Sequence, residues 1–157
     1  MSILNIEKGK ENSILRTISQ DVLDIKEPEI QEFIINMKTT LQSTKNGVGL
    51  AAPQAGKNLR IFVASYDLKL NQTVFINPEI ISISPDLLLV DEGCLSLPEF
   101  YGKIKRAKWV KVEAYNENGR KFKIKATGLI AQIVQHEVDH LNGILFIDKA
   151  EEIGNVK

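Results

Sequence analysis

The sequence predicts an α+β fold in which antiparallel β-strands pack around a central helix, with an amphipathic helix in the N-terminal part. Two stretches repeat apolar residues at helical spacing, and several short aliphatic runs are separated by Asn, Pro and Asp. The chain has 157 residues, of which 43% are hydrophobic. That is enough for one buried core, so we expect residues 1–157 to form a single domain.

Two helices are predicted. The first begins at Pro28, because proline is favoured in a first helical turn and apolar residues then recur at helical spacing as far as Leu41. Asn46-Gly47 marks its end. The second covers about residues 128–142 and ends before Gly143, a residue that tolerates the left-handed conformation common after helices.

Strands are predicted in six places. Four are short runs rich in aliphatic residues, at positions 59–64, 73–76, 80–83 and 87–90. The other two, at residues 108–115 and 121–126, alternate apolar and polar side chains on either side of an Asn-Glu-Asn-Gly turn. This arrangement predicts a hairpin with one face in solvent.

Charge balance and cysteine content narrow the range of partners. The 20 basic residues offset 20 acidic ones, so no net field attracts the chain to nucleic acid or to a membrane. The single cysteine, Cys94, excludes an intrachain disulfide and indicates a reducing compartment. The N-terminus lacks a signal-peptide pattern, and no apolar run is long enough to span a bilayer. We therefore expect a cytoplasmic protein.

Both histidines of the chain lie in the second helix, in the pattern His136-Glu-Val-Asp-His140. Residues four apart lie on one side of a helix, so the two imidazoles can chelate one metal ion. On a helical wheel Glu137 falls within the apolar arc, where burial costs free energy and raises a carboxyl pKa. The opposite side, which includes Gln135 and Asp139, is predicted to face solvent. The alternative is two surface histidines that are neighbours by chance.

Cys94 is the leading candidate for a third metal ligand. It follows the strand predicted at residues 87–90, and the adjacent Gly93 permits close approach of a ligand or another backbone. Two histidines and one cysteine leave a fourth position for water, which is typical of catalytic rather than structural metal sites. An inert core cysteine is the alternative.

Residues 47–54, Gly-Val-Gly-Leu-Ala-Ala-Pro-Gln, are a third notable feature. Their small side chains expose main-chain groups, and an exposed strand edge can bind an extended peptide as an added strand. The alternative is a helix end followed by a tightly packed strand, with Gln54 as an ordinary surface amide. This pattern alone does not decide between the two.

Taken together, residues 47–54, 92–96 and 135–140 resemble the three signature motifs of the peptide deformylases, in the same order. The resemblance continues through Leu97-Pro98 and through residues 141–148. It implies a metal-dependent hydrolase that removes the N-formyl group from the initiator methionine of nascent polypeptides and releases formate. N-formylmethionyl nascent peptides are thus the expected substrates.

The same resemblance implies roles for individual residues. One divalent metal ion is expected, ferrous iron in the cell, with zinc or another transition metal as alternatives. Glu137 is the implied general base, which takes a proton from the metal-bound water, and then the general acid toward the leaving amine. The Gln54 amide and the Leu95 N–H are implied to stabilise the developing oxyanion. The implied metal ligands are Cys94, His136 and His140.

A methionine slot and a peptide-binding edge are also implied. The slot is walled by aliphatic side chains, those of Val48, Val90, Leu129 and Ile133. The main-chain groups of Val48 and Gly93 pair with the extended peptide. Leu129 and Ile133 also lie beside the histidines on the helical wheel. The implied substrate-binding residues are Val48, Gly49, Val90, Gly93, Leu129 and Ile133.

Two other functional classes remain open. The His-Glu-x-x-His pattern also fits metallopeptidases, although those usually take a third ligand from downstream, and residues 141–157 contain no histidine. A non-catalytic metal-binding or peptide-binding module is the other alternative, in which the same three ligands hold a stabilising ion. A cleavage assay on internal peptide bonds tests for the metallopeptidase. The binding module is favoured if Glu137→Ala unfolds or loses metal while the wild type shows no hydrolysis.

Charged residues leave two further questions. Glu92 and Arg106 either form an ion pair behind the metal site or are unrelated surface charges. Many bacterial deformylases carry a C-terminal helix that contacts the ribosome, and residues 150–157 are too few to form it. A basic stretch is the alternative surface for a transient ribosome contact, although such stretches are usually solvated. Its members are Lys103, Lys105, Arg106, Lys108 and Lys111.

Overall fold

The computed structural model describes residues 1–156, which form three α-helices and eight strands. The helices are α1 (Ser13–Arg16), α2 (Pro28–Ser43) and α3 (Gly128–Leu141). The strands are β1 (Gly49–Ala51), β2 (Ile61–Ala64), β3 (Val74–Ile83), β4 (Leu87–Gly93), β5 (Phe100–Ala107), β6 (Trp109–Tyr115), β7 (Lys121–Thr127) and β8 (Glu152–Asn155). Short 3-10 helices occupy Ala52–Ala55, Tyr66–Leu68 and Phe146–Asp148.

The strands form two antiparallel sheets around α3. One sheet has the order β1-β2-β3-β6-β7, and the other has the order β4-β5-β8. Helix α3 contacts strands of both sheets, whereas α2 packs on β1 and β2. The predicted α+β fold with a central helix is thereby confirmed. Among the described residues, no helix combines the length and the apolar character that crossing a bilayer requires.

The five-stranded sheet separates two parts of the core. On one face, Phe33 and Met37 of α2 are buried in a cluster with residues of β1, β2 and β3. On the other face, Val134 and Val138 of α3 pack in a cluster that includes Phe75. Burial of apolar residues on both faces fixes the position of α3 relative to the sheet.

The side of α3 that was expected to face solvent is buried at Gln135 and Asp139, so the expectation was wrong for these two residues, whereas Asn142 on the same side is exposed. Gln135 and Asp139 are each 8% exposed, because β5 covers this side of the helix. The Gln135 amide accepts a hydrogen bond from the Ala107 N–H at 2.8 Å and donates one to the Ala107 carbonyl at 3.0 Å. These bonds satisfy the polar groups that burial removes from water.

Two strand predictions need correction, and two further strands were missed. The runs at 73–76 and 80–83 belong to one strand, β3, which continues through a bulge at Asn77. Asn77 has a φ of 51°, which asparagine tolerates. Its side chain accepts a hydrogen bond from the Val22 N–H and donates one to the Val22 carbonyl. Strands β5 and β8 were not predicted, since lysines and glycines interrupt their apolar residues.

Candidate metal centre and active site

Three side chains from two elements converge on one point. His136 and His140 lie on one side of α3, and Cys94 follows the last residue of β4. One donor atom from each of the three lies within 4.8 Å of the other two, and Cys94 Sγ is 3.3 Å from His140 Nε2. Ligand atoms around one tetrahedral zinc or iron ion are roughly 3.4 to 3.8 Å apart. The geometry therefore fits a single small cation.

A buried ionic network orients His136. Glu92 Oε1 is 2.6 Å from His136 Nδ1, and the Arg106 guanidinium binds both Glu92 oxygens at 2.7 and 2.8 Å. Arg106 also donates to Asp139 at 2.7 Å, and Lys149 donates to the other Asp139 oxygen at 3.0 Å. Of the two readings left open for Glu92 and Arg106, the ion pair is therefore the one observed. A carboxylate on Nδ1 leaves Nε2 of His136 for a metal.

The network also fixes the charge of Glu92. Burial by itself would raise the pKa of this carboxyl group, but the hydrogen bonds from Arg106 and His136 outweigh it and lower the pKa to about 2. Glu92 is 8% exposed and Arg106 is 4% exposed. The pair is therefore ionised and shielded from solvent, which makes it a rigid support for His136.

Glu137 is buried beside the three candidate ligands. The residue is 3% exposed, and burial raises the pKa of its carboxyl group to about 7. Its Oε1 has no hydrogen-bond partner among the described residues, and neither has the buried Nδ1 of His140. An unpartnered buried carboxylate is costly in a purely structural helix. Its pKa lies in the range useful for proton transfer near neutral pH.

Gly49 makes the space for this carboxylate. A Cβ at position 49 would lie 2.7 Å from Glu137 Oε2 and 3.1 Å from its Cδ, both closer than van der Waals contact allows. A methyl group at this position would therefore force the Glu137 carboxylate out of the place that it occupies beside the candidate ligands. Gly49 therefore sets the position of Glu137 relative to Cys94.

We expect Gly49→Ala to lower kcat on the order of 10²-fold, because displacement of a catalytic group by about 1 Å has an effect of this size. The metal content should stay the same, since no ligand is replaced. Turnover and metal analysis of the same preparation test this prediction. Unchanged kcat in a folded Gly49→Ala variant would show that the carboxylate need not stay where the structure has it.

Gln54 lies in the 3-10 helix Ala52–Ala55 and is 1% exposed, so it is not a surface amide. Its Oε1 accepts a hydrogen bond from the Ala51 N–H at 2.9 Å. Its Nε2 donates to Ser96 Oγ at 3.1 Å and is 3.5 Å from Cys94 Sγ. Within residues 1–156 the Leu95 N–H donates to no protein acceptor. Two donors are thus placed next to the candidate ligands.

A cavity of about 680 Å³ opens onto these groups. Val48, Gly49, Gly93, Leu129 and Ile133 line it together with Gln54, Cys94, Leu95, His136 and Glu137. The structure thus brings together all the predicted substrate-binding residues except Val90. Val90 lines an adjoining depression of about 230 Å³, which shares Leu129 and Gln132 with the cavity, and it packs near the cluster around Phe146.

Several lining residues were not found from the sequence. They come from the N-terminal segment, from the loop after α2, from the start of β5 and from the residue after β8, all outside the three motifs. Alternation of buried Gly102, Ile104 and Arg106 with exposed lysines was the one signal that could have located β5. The lining residues that were missed include Ile6, Lys8, Asn46, Phe100, Tyr101 and Val156.

Metal-dependent hydrolases typically combine three nitrogen or sulfur donors with an acidic group beside them. The site therefore defines this class of protein. The family model described as polypeptide deformylase matches residues 3–156. The chain therefore belongs to the peptide deformylase family. It is an enzyme that hydrolyses the N-formyl group of nascent polypeptides, and the family is one of metalloenzymes.

Relatives with known sequences and structures agree with this assignment. The peptide deformylase of Treponema pallidum is 40% identical over 138 residues, which are 88% of this chain and 83% of the relative. The crystal structure of a peptide deformylase from Synechococcus elongatus, in complex with actinonin, has a TM-score of 0.87 at 40% identity and covers 94% of this chain and 79% of that one. The peptide deformylase from Thermotoga maritima has a TM-score of 0.88 at 36% identity, and the match covers 96% of this chain and 99% of that one.

Proposed function

We propose that Cys94, His136 and His140 hold one divalent ion and that Glu137 carries the proton during hydrolysis of the formyl amide. The observation that supports this most directly is the Glu137 carboxylate, which is buried, has an unpartnered oxygen and adjoins the ligand cluster. Thiolate and imidazole donors suit ferrous iron and zinc better than magnesium or calcium. We infer ferrous iron in the cell, with zinc or another divalent transition metal as the alternative.

The ion, when bound, supplies a Lewis acid that activates water and polarises the formyl carbonyl. Glu137 then accepts a proton from the attacking water through the oxygen that lacks a protein partner. As the C–N bond breaks, the same carboxyl group delivers this proton to the leaving amine. A pKa of about 7 suits both steps, because the group can gain and lose a proton near neutral pH.

Two donors are assigned to the charge that develops on the formyl oxygen. The Gln54 amide is held by Ala51 and Ser96, so it does not need to reorganise during the reaction. The Leu95 N–H is the second donor, and the turn after Cys94 places it next to the thiolate. Preorganised donors of this kind stabilise the transition state more than the ground state.

We expect Gln54→Ala to lower kcat by about 10²- to 10³-fold, because it removes one such donor. Metal content should be unchanged, since Gln54 is not a ligand. Ser96→Ala is the matched control: it removes only the acceptor that orients the amide, so the loss should be smaller. Equal losses in both variants, or loss of metal from Gln54→Ala, would contradict a role in oxyanion stabilisation.

Substrate binding is assigned to the cavity. We propose that Leu129 and Ile133 wall the slot for the methionine side chain, with Val48 on the rim, and that main-chain groups of Val48, Gly49 and Gly93 pair with the extended peptide. Leu129 is 53% exposed and Ile133 is 4% exposed, so the slot runs from the surface inward. Val90 has no part in this proposal.

We further propose that residues 1–157 act as one cytoplasmic catalytic domain that meets nascent chains as they are made. Of the basic stretch considered for a transient ribosome contact, three members are already paired. Lys103 bonds Asp91, Lys105 bonds Glu151, and Arg106 is buried in the network behind His136. Arg106 is therefore not available for such a contact, whereas the pairs of Lys103 and Lys105 are exposed and weak, so the four lysines remain as the candidate surface.

The test is formate release from a formyl-Met-Ala-Ser tripeptide by protein purified without air and loaded with ferrous iron. Release by the wild type and none by Glu137→Ala supports the proposal. Cleavage of internal peptide bonds without formate release would favour a metallopeptidase. A folded, metal-filled wild type that hydrolyses neither substrate would favour a binding module.

A further inference from the structure

One edge strand of the three-stranded sheet leaves an apolar surface in solvent. Strand β4 pairs with β5 on one side, and within residues 1–156 no strand pairs with it on the other. Leu87, Leu88 and Leu89 follow one another along β4 and are 55%, 45% and 54% exposed. An exposed, regular and apolar edge strand readily pairs with another chain. Residues 87–89 therefore form a candidate interaction surface, which we call the Leu87–Leu89 edge.

The other three sheet edges are protected against such pairing. Strand β1 has three residues, all of them buried, and β8 has only four. Strand β7 is longer, but Lys121, Lys123 and Lys125 alternate along its exposed side, and lysines on an edge strand oppose pairing with another chain. Strand β4 carries no lysine or proline and pairs with β5 over all seven of its residues without a bulge. Of the sheet edges in the described part of the chain, only this one is both long and unprotected.

The backbone groups of the Leu87–Leu89 edge are positioned for a further strand. In an antiparallel ladder, successive residues direct their N–H and C=O groups to opposite sides of the strand. The Asp91 carbonyl accepts a hydrogen bond from the Gln132 side chain of α3 at 2.8 Å, so it points away from β5. Alternation directs the groups of Leu89 and Leu87 away from β5 as well, to a side where no residue among 1–156 bonds them. Gln132 closes the edge at Asp91 and so separates the three leucines from Gly93 at the cavity.

We propose that two copies of this chain associate through their Leu87–Leu89 edges, with Leu88 of one copy opposite Leu88 of the other, so that two three-stranded sheets become one sheet of six strands. Two identical strands that run antiparallel are related by a two-fold axis, so every contact between them occurs twice. With the axis at Leu88, Leu87 lies opposite Leu89 of the second copy. The outward N–H and C=O groups of these two residues then form hydrogen-bonded pairs.

The charges that flank the leucines fit a second copy in this register. Like charges directly opposite each other destabilise a pair of strands, but here Asp86 lies opposite Val90 of the second copy and Asp91 lies opposite Pro85. Pro85 has no N–H, so it also ends the pairing beyond the leucines. With the axis at the next residue instead, Asp91 would face Leu87, which places a charge against apolar surface. The leucines of both copies therefore meet only in the register centred on Leu88.

The predicted contact is small. Burial of the leucines supplies its free energy, since apolar surface of both copies leaves water. Three leucines from each copy bury much less than the roughly 800 Å² per partner of a standard interface, so we expect a weak dimer with a Kd on the order of 10 µM. None of the three leucines lines the cavity at the candidate metal centre. The inference is therefore independent of the proposed function.

Sedimentation velocity of the metal-loaded protein, from tenfold below to tenfold above this Kd, should show a monomer that becomes a dimer. Leu89→Lys should weaken the dimer by about 100-fold, because it places a charge in the apolar contact of each copy. Leu23→Lys is the matched control: Leu23 is 98% exposed and lies outside the strands, so the Kd should not change. A wild type that is monomeric throughout, or an equally tight dimer of Leu89→Lys, would overturn the proposal.

A pair of cysteine variants tests the register. Leu88→Cys should form a disulfide between copies, because opposite residues of a non-hydrogen-bonded pair have Cα atoms about 4.5 Å apart, within the range of a disulfide. Leu87→Cys is the matched control and should not, since its thiol faces Leu89 of the second copy. Zinc-loaded protein is used because zinc is not redox-active, and the wild type, with Cys94 alone, gives the background. Equal cross-linking of the two variants, or none in Leu88→Cys, would overturn the proposed pairing.

Discussion

Replacement of Glu137 by glutamine is expected to lower kcat for formate release by about 10²- to 10⁴-fold, which is the usual contribution of a general acid–base group. Glutamine has nearly the shape of glutamate but cannot take or give the proton. The group is 3% exposed, and within residues 1–156 one of its oxygens has no partner, so bulk water is not positioned to replace it. Steady-state kinetics on a formyl-Met tripeptide measure the loss.

Metal content and stability decide whether this loss reflects proton transfer. Glu137→Gln should bind the same amount of iron as the wild type, because its ligands are unchanged. Its melting temperature should not fall, since the wild-type carboxylate has an oxygen without a partner. Glu29→Gln, an exposed change of the same kind on α2, serves as the matched control and should leave kcat unaltered. Loss of iron or of the fold would instead indicate a structural role for Glu137.

Helical periodicity correctly predicted that Glu137 is buried and incorrectly predicted that Asp139 is exposed. Both results have one physical reason. The wheel divides a helix into an apolar side and a polar side, and Glu137 was identified because it is a charge on the apolar side. Helix α3, however, lies between two sheets, so its polar side is also covered. Asp139 is buried because Arg106 pairs with it, and that partner comes from 33 residues away in the sequence.

The outer wall of the cavity could not be predicted, because it depends on strand pairing. Tyr101 and Gly154 are brought together by the register of β5 and β8, and neither strand has a clean alternation of apolar and polar residues. The side chain of Val90 depends on the same pairing. It belongs to an aliphatic run that was predicted as a strand, but the direction in which its side chain points was not determined by that prediction.

Replacement of Arg106 by methionine is expected to reduce the free energy of unfolding by about 3 to 5 kcal/mol, because the buried Glu92 loses its cationic partner and the buried Asp139 keeps only the half-exposed Lys149. Glu92 and Asp139 are each 8% exposed, so water does not compensate. Chemical denaturation of the metal-free protein measures the change. Lys103→Met is the matched control: it breaks the exposed pair with Asp91, and we expect a loss of no more than about 1 kcal/mol.

The same variant tests whether the network orients the metal ligand. Without Arg106, Glu92 is no longer held at two oxygens, and its contact with His136 Nδ1 loses its fixed direction. Loss of such supporting bonds typically weakens metal binding by about 10- to 100-fold. The triple variant Arg106→Met, Glu92→Gln and Asp139→Asn also neutralises the two carboxylates. It should recover part of the lost stability, because the buried negative charges are gone. It should not recover the metal affinity, because the support for His136 does not return. Recovery of both, or of neither, would mean that burial of charge and orientation of His136 are not separate functions of this network.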